Sequence, residues 1–85
     1  MKLNIHVKIV ARELAPGIEN GVYTIDNGST IRDLIVLCAN QCQASIPDEE
    51  KCQLMYPLFN GKPLSLDRVL TGDGTLHICR VVIGG

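Results

Sequence analysis

One segment of this sequence carries a long helical apolar repeat, and this restricts the folds open to the chain. Its apolar residues recur at the spacing of one helix face, about three turns long: Ile31, Leu34, Ile35, Cys38 and Cys42. Thr30, followed by Asp33 three residues later, resembles a capping box and predicts the start of the helix. We expect its end at residues 41–43. A single helix must bury its apolar face against another element, so the rest of the chain has to supply a sheet.

The remaining apolar segments have the period of strands. Residues 1–10 alternate strictly, with one apolar side formed by Leu3, Ile5, Val7 and Ile9. Shorter strands are predicted at residues 22–25 and 54–59, and a last strand begins after Gly74. Pro47 at a first helical position, followed by three acidic residues, predicts one short helical turn that ends near Cys52.

The connections contain strong turn signals. Pro16-Gly17 and Asn20-Gly21 predict that residues 11–21 form a loop, and Asn60-Gly61 predicts a tight turn after the third strand. Pro63 limits the segment after that turn to an edge strand. Residues 65–74 are predicted to be a long connection held down by three apolar side chains, Leu66, Val69 and Leu70.

These elements predict an α+β roll. We expect a mixed sheet of four or five strands with one main helix across one face, and the first and last strands, the most apolar, side by side in its centre. No repeat or boundary divides the chain, so residues 1–85 are predicted to be one domain. Residues 81–85 are predicted to be an extended, flexible C-terminal tail.

Charge and cysteine usage exclude several classes of function. The net charge of -1 is scattered along the chain, without the basic cluster that nucleic acid or an acidic membrane would need. No apolar run approaches a membrane span, and no signal peptide is present, which predicts a cytoplasmic protein. The four cysteines, Cys38, Cys42, Cys52 and Cys79, lack a close pair for a metal, so we predict reduced thiols and no metal site.

The second half resembles a known superfamily. The residues that carry the resemblance are Leu-Phe-Asn-Gly-Lys-Pro-Leu at 58–64, Thr-Leu-His-Ile at 75–78, and Gly84-Gly85. They resemble the β-grasp superfamily that contains ubiquitin, and the apolar end also resembles the bacterial sulfur carriers ThiS and MoaD. The chain departs from the carriers where Asp73 precedes Gly74, and it lacks both the proline pair of MoaD and the arginines before the ubiquitin glycines.

The resemblance implies a carrier and not an enzyme. In these families an E1-like enzyme of the ThiF/MoeB type uses ATP to adenylate the terminal carboxylate. In the sulfur carriers the adenylate then becomes a thiocarboxylate, which donates sulfur to a synthase subunit or another target in thiamin, molybdopterin or related biosynthesis. The resemblance thus implies that Gly85 and Gly84 are the activated end, that no cofactor is bound, and that the free protein is a monomer.

The strand before these glycines supplies further candidate residues. If Leu76 and Ile78 point into the core, alternation directs His77, Cys79 and Val81 outwards. The ubiquitin resemblance adds Leu58, which predicts a partner-binding patch of Leu58, Cys79 and Val81 rimmed by His77 and Arg80. Val82 and Ile83 complete the apolar lead into the glycines.

The terminal glycines and the patch residues can also be interpreted without a functional role, and other functions stay open. Two final glycines also occur in ordinary frayed termini, and the patch residues also suit an ordinary covered sheet. One alternative function is a ubiquitin-like modifier conjugated through Gly85 to lysines. Another is an interaction domain that uses the sheet face alone.

Overall fold

The computed structural model describes residues 1–82, so Ile83, Gly84 and Gly85 of the predicted site lie outside the described residues. Within residues 1–82 there are five strands, two helices and one 3-10 turn, Arg12–Leu14. In chain order the elements are β1 (Lys2–Ile9), β2 (Gly21–Asp26), α1 (Ile31–Gln41), α2 (Glu49–Gln53), β3 (Met55–Phe59), β4 (Lys62–Pro63) and β5 (Gly74–Arg80).

The sheet has the order β2-β1-β5-β3-β4. β1 and β5, the first and last strands, lie side by side and parallel in its centre, with Val7 opposite Leu76 and Ile9 opposite Ile78. The other neighbours pair antiparallel. The predicted α+β β-grasp arrangement, a mixed sheet of five strands with one main helix, is therefore confirmed.

One face of the sheet and one face of α1 form the core. The exposure of β1 alternates along its whole length, as its sequence predicted. Burial of the opposing apolar side chains is the main favourable term in folding. Among the described residues no polar or charged side chain is buried, and the most completely buried large side chains include Ile5, Ile31, Leu34, Leu76 and Ile78.

The start of α1 is fixed by its cap and by a neighbouring segment. Thr30 Oγ1 accepts from the backbone N–H of Asp33, and the Asp33 carboxylate accepts from the backbone N–H of Thr30, both at 3.0 Å, so the capping box is present. The N–H groups of Ile31 and Arg32 donate to carbonyls of residues 68 and 66. The long connection thereby satisfies donors that the first turn of a helix leaves unpaired.

Two details of these connections differ from the sequence predictions. Leu66 and Leu70 are buried, but Val69 is 48% exposed, so the prediction that it holds down the connection is wrong. Val69 forms a β-bridge with Thr30 in an extended stretch, where neighbouring side chains point to opposite sides. The second difference concerns Pro47, which lies before α2 and not at its first helical position. Asp48 is the N-cap, and its side chain accepts from the backbone N–H of Lys51.

The loop between β1 and β2 is more ordered than its turn signals indicated. Its 3-10 turn, Arg12–Leu14, is followed by Ala15 and Ile18, and Leu14, Ala15 and Ile18 are all buried. The N–H of Ile9 donates to Asn20 Oδ1 at 2.7 Å, which continues the hydrogen bonding of β1 beyond its pairing with β2.

The Asn60-Gly61 turn is bound to the start of β5. Asn60 has a positive φ of 51°, which asparagine tolerates better than most residues. Its backbone N–H donates to the carbonyl of Thr75, and its Oδ1 accepts from the Thr75 N–H, both at 2.9 Å. Asp73 accepts from the backbone N–H of Asn4 at 2.9 Å, so the turn before β5 is also tied to β1.

The sheet edge beside β3 is short and contains proline. β4 consists of Lys62 and Pro63 and pairs only with residues 58 and 59. The prediction that Pro63 belongs to an edge segment is confirmed. Pro57 of β3 pairs with Ile78 of β5 on its other side.

We predict that Gly74→Ala destabilises the protein. A Cβ at position 74 would lie 2.6 Å from both Asn60 Oδ1 and Phe59 Cζ, so it would displace the side chain that accepts from Thr75. Overpacking of this kind costs about 1–3 kcal/mol. Urea unfolding measures the loss, and Gly72→Ala is the matched control because no atom lies within 4 Å of its added Cβ. Equal stability of the two variants would contradict the prediction.

Candidate functional site

β5 leads the chain out of the sheet. Up to Ile78 it has β1 on one side and β3 on the other, and the Ile78 carbonyl accepts from the N–H groups of both Val10 and Ala11. Beyond that point the ladder continues only with β3, where the N–H of Val81 donates to the Leu54 carbonyl at 2.8 Å. Val82 is 93% exposed. A centrally held strand therefore ends at the surface, three residues before Gly85.

The face of the sheet opposite the helix carries three residues of the predicted patch, Leu58, His77 and Cys79. His77 is opposite Leu58 in the β3–β5 ladder, and Cys79 is opposite Tyr56. Leu58, His77 and Cys79 are half-buried, whereas Tyr56 is 45% exposed. These four residues form what we call the outer-face patch. The predicted orientation of His77 and Cys79, and the place of Leu58 beside them, agree with the structure.

Basic side chains flank the patch. Lys8 is opposite His77 in the parallel ladder and His6 is opposite Thr75, and both Lys8 and His6 are exposed. Lys62 of β4 is exposed too, but it lies opposite Phe59, which packs against the core, so alternation places Lys62 on the helix side of the sheet. An apolar centre with a basic flank suits a partner surface that presents apolar side chains beside carboxylates.

Arg80 does not rim this patch. It is opposite Met55, whose side chain is buried on the helix side of the sheet, and its Nη1 donates to Glu13 Oε2 at 3.3 Å. The prediction that Arg80 stands beside His77 on the outer face is therefore wrong, since alternation along β5 places the two on opposite faces. Val81, which follows Arg80 in the sequence, is half-buried, and Ile83 lies outside the described residues.

Sequence reasoning missed two exposed apolar residues of this region. Tyr56 precedes Leu58 by two positions, so alternation along β3 would have placed it on the same face. Val10, 61% exposed, continues the alternation of β1 between buried Ile9 and Ala11. The prediction relied on resemblance for Leu58 and did not extend the strand period to its neighbours.

All four cysteines are free thiols. Burial raises the pKa of the Cys38 thiol to about 12, and burial also raises the pKa of Cys52. Cys42 is half-buried, and its Sγ lies 3.1 Å from the hydroxyl oxygen of Tyr23, whose pKa is raised chiefly by burial. The Tyr23 hydroxyl also donates to the carbonyl of Glu19 at 2.6 Å. The side chains of Tyr23 and Cys42 therefore pack together between β2 and the end of α1.

The described residues contain neither a metal-binding group nor a membrane-spanning helix. Within residues 1–82, no group of three or more His, Cys, Asp and Glu side chains is placed to hold a metal ion. In the same part of the chain, no helix combines the length and apolar character needed to cross a bilayer.

Comparisons with known proteins identify similar folds. No protein-family model and no curated protein sequence matches this chain. Among solved structures, a putative molybdopterin converting factor subunit 1 from Pyrococcus furiosus is 21% identical, with a TM-score of 0.62 over 94% of this chain and 99% of its own. SAMP1 from Haloferax volcanii is 18% identical, with a TM-score of 0.62 over 96% and 99%. A designed protein based on ubiquitin is 17% identical, with a TM-score of 0.62 over 98% and 93%.

These similarities confirm the resemblance at the level of the fold. The structural neighbours include both a molybdopterin converting factor subunit and a ubiquitin-based design. These correspond to the two groups of proteins, sulfur carriers and ubiquitin, that the sequence resembles. At sequence identities this low, the structural similarity establishes only the ubiquitin-like β-grasp architecture. Function therefore has to be argued from the site.

We predict that thiol reagents distinguish the cysteines. At pH 8 a thiol with a pKa of about 12 is ionised in roughly one molecule in ten thousand, and the thiolate is the reactive form. Cys38 and Cys52 should therefore be alkylated at least tenfold more slowly than Cys79 in the folded protein. Peptide mass spectrometry over time measures the rates, with labelling in urea as the control. Equal rates in the folded protein would contradict the burial of these thiols.

Proposed function

We propose that this protein is a cytoplasmic sulfur carrier whose Gly85 carboxylate is activated by a partner enzyme. The observation that carries the proposal is the course of β5. The strand is fixed in the centre of the sheet, its last ladder bond is made by Val81, and Val82 is almost fully exposed. Only three further residues follow, and the last two are Gly84 and Gly85.

The glycines suit a carboxylate that has to enter another protein. Residues without a Cβ pass through a narrow channel and adopt backbone conformations closed to other residues. Counted from Val82, four extended residues reach about 13–14 Å beyond the last ladder bond. That length is sufficient to cross a partner's surface layer while the β-grasp body stays outside.

Activation gives the carboxylate a leaving group. A carboxylate oxygen of Gly85 attacks the α-phosphorus of ATP bound by the partner, which forms the acyl-adenylate as the bond to pyrophosphate breaks. A hydrosulfide-type donor then adds to the Gly85 carbonyl carbon, and AMP leaves with the electrons of the broken C–O bond. The product is a thiocarboxylate at Gly85. The carrier's own residues bind and position, and the catalytic groups belong to the partner.

The outer-face patch is the proposed docking surface for the E1-like activating enzyme and afterwards for the sulfur-accepting protein. Its support is the combination of exposed Tyr56 and half-buried Leu58 on β3 with half-buried Cys79 on β5, the strand that leads to the tail. Aromatic and apolar side chains of this kind supply much of the binding energy at protein interfaces.

Conjugation to proteins is the second candidate function. The similarity to a ubiquitin-based design and the Thr-Leu-His-Ile stretch at 75–78 favour it, and it shares the adenylation step. The products separate the two: a thiocarboxylate increases the mass of the free protein, whereas conjugation links Gly85 to a lysine nitrogen. A third function, an interaction domain that uses the sheet face alone, would be unaffected by removal of Gly84 and Gly85.

We predict that activation requires the two glycines without a Cβ. Incubation with the cognate activating enzyme, ATP and a sulfide donor should add the mass difference of one oxygen replaced by sulfur, measured by intact-mass spectrometry. Deletion of Gly84 and Gly85 should abolish this change. Gly84→Ala should lower kcat/KM for adenylation roughly five- to hundredfold, because an added methyl in a close-fitting passage costs about 1–3 kcal/mol.

The same assay contains its own controls. Val69→Ala changes an exposed side chain of the long connection and should leave activation unchanged. An unmodified mass and no trapped adenylate with wild-type protein would refute the proposed function. An isopeptide adduct without a thiocarboxylate would instead support the modifier.

We predict that Leu58→Asp weakens docking to the activating enzyme. A carboxylate in the centre of the apolar patch would be desolvated on binding, so KM for the carrier should rise at least tenfold. Val22→Asp is the matched control, since Val22 is exposed on the same face but lies on the edge strand β2, opposite His6. Circular dichroism would verify that both variants fold. Equal KM values would show that docking does not use the patch.

A further inference from the structure

The end of β5 extends beyond its neighbour. β1 pairs with β5 only as far as Ile9 opposite Ile78, and the chain then turns through Val10 and Ala11 into the 3-10 turn. Residues 79–81 therefore have a ladder partner on the β3 side alone, where the last bond joins Val81 to Leu54. A strand held on one side frays more readily than one held on both.

An ion pair links the unsupported side of β5 to the rest of the fold. Arg80 Nη1 donates to Glu13 Oε2 at 3.3 Å, and Glu13 belongs to the 3-10 turn that replaces β1 at this level. That turn is itself held, because Leu14 within it is buried, as are Ala15 and Ile18 after it. Glu13 is thus attached to the core through its neighbours and not through its own side chain, which is 58% exposed.

We propose that the Glu13–Arg80 ion pair holds the last residues of β5 against the 3-10 turn and so fixes the residue at which the paired strand ends and from which the C-terminal tail departs. Glu13 and Arg80 are positioning residues, since neither touches a reacting atom. The use of this device in activation rests on the proposed function, whereas the holding of β5 does not.

The physical consequence is a fixed end of the paired strand. The last bond of β5 and its extension joins Val81 to Leu54, and residues 82–85 follow it in the sequence. Fraying of residues 79–81 would move this end back by three residues, so the Gly85 carboxylate would be tethered to the fold by a longer segment and would sample a larger volume before it meets the partner's ATP. Pre-organisation of a segment in its bound conformation reduces the entropy lost on binding.

Hydrogen exchange tests the holding of β5 directly. Glu13→Arg places two like charges together, and the exchange of the Val81 amide should become about two- to fivefold faster, the range expected for exposed ion pairs. The double variant Glu13→Arg with Arg80→Glu restores an ion pair and should return the rate to that of wild type. An unchanged Val81 rate in Glu13→Arg, or no rescue in the double variant, would overturn the inference.

Asp26→Lys is the matched control. It reverses one partner of an exposed ion pair, Lys2–Asp26, at the opposite end of β1, where no residue of β5 is paired. The Val81 amide should exchange as in wild type. Acceleration by this variant as well would indicate general destabilisation and would overturn the local role of Glu13.

Activation kinetics test the use of the ion pair. In Glu13→Arg the KM of the activating enzyme for the carrier should rise about two- to fivefold while kcat stays the same, and the double variant should recover the wild-type KM. Faster Val81 exchange without a change in KM would show that activation does not use the ion pair. If wild-type protein is not activated at all, the proposed function fails, and the exchange experiment still decides whether the ion pair holds β5.

Discussion

The parallel pairing of β1 with β5 is the constraint on which the rest of the structure depends. Two parallel strands cannot be joined by a hairpin, so the chain between them must cross the sheet. The crossing chain contains α1, which covers the apolar face that both central strands present. The antiparallel strands β2 and β3 then pair with the free sides of this centre. The outer-face patch inherits its position from the same arrangement, because His77 and Cys79 lie on β5, and Leu58 and Tyr56 lie opposite them on β3.

Local patterns predicted the elements because the physics behind them is local. The alternation of β1, the capping box of Thr30 and Asp33, and the Asn60-Gly61 turn each depend on residues close together in sequence. The same holds for the direction of His77 and Cys79, which follows from the two-residue period once Leu76 is known to be buried. The strand order was also predictable, because the most apolar strands occupy the centre of a sheet.

Features that depend on distant residues were not predicted. The exposure of Val69 follows from its bridge to Thr30, which is far away in the sequence. The place of Arg80, by contrast, follows from the two-residue period of β5 and could have been predicted. The 3-10 turn is fixed by burial of Leu14 and Ile18 beneath other elements, and its own sequence carries no strong helical signal. Tyr56 is a different case, since the strand period alone was sufficient to place it on the outer face.

The central position of β5 also has a consequence for biosynthesis. Because β5, the last of the five strands in sequence, pairs with β1, the first, β1 has no permanent partner on that side until β5 has been translated. A chain truncated before Leu76 lacks the middle of its sheet and exposes the apolar face of β1, which marks it for aggregation or degradation. The sheet can thus form only after translation has passed β5, the strand that carries His77 and Cys79 of the outer-face patch.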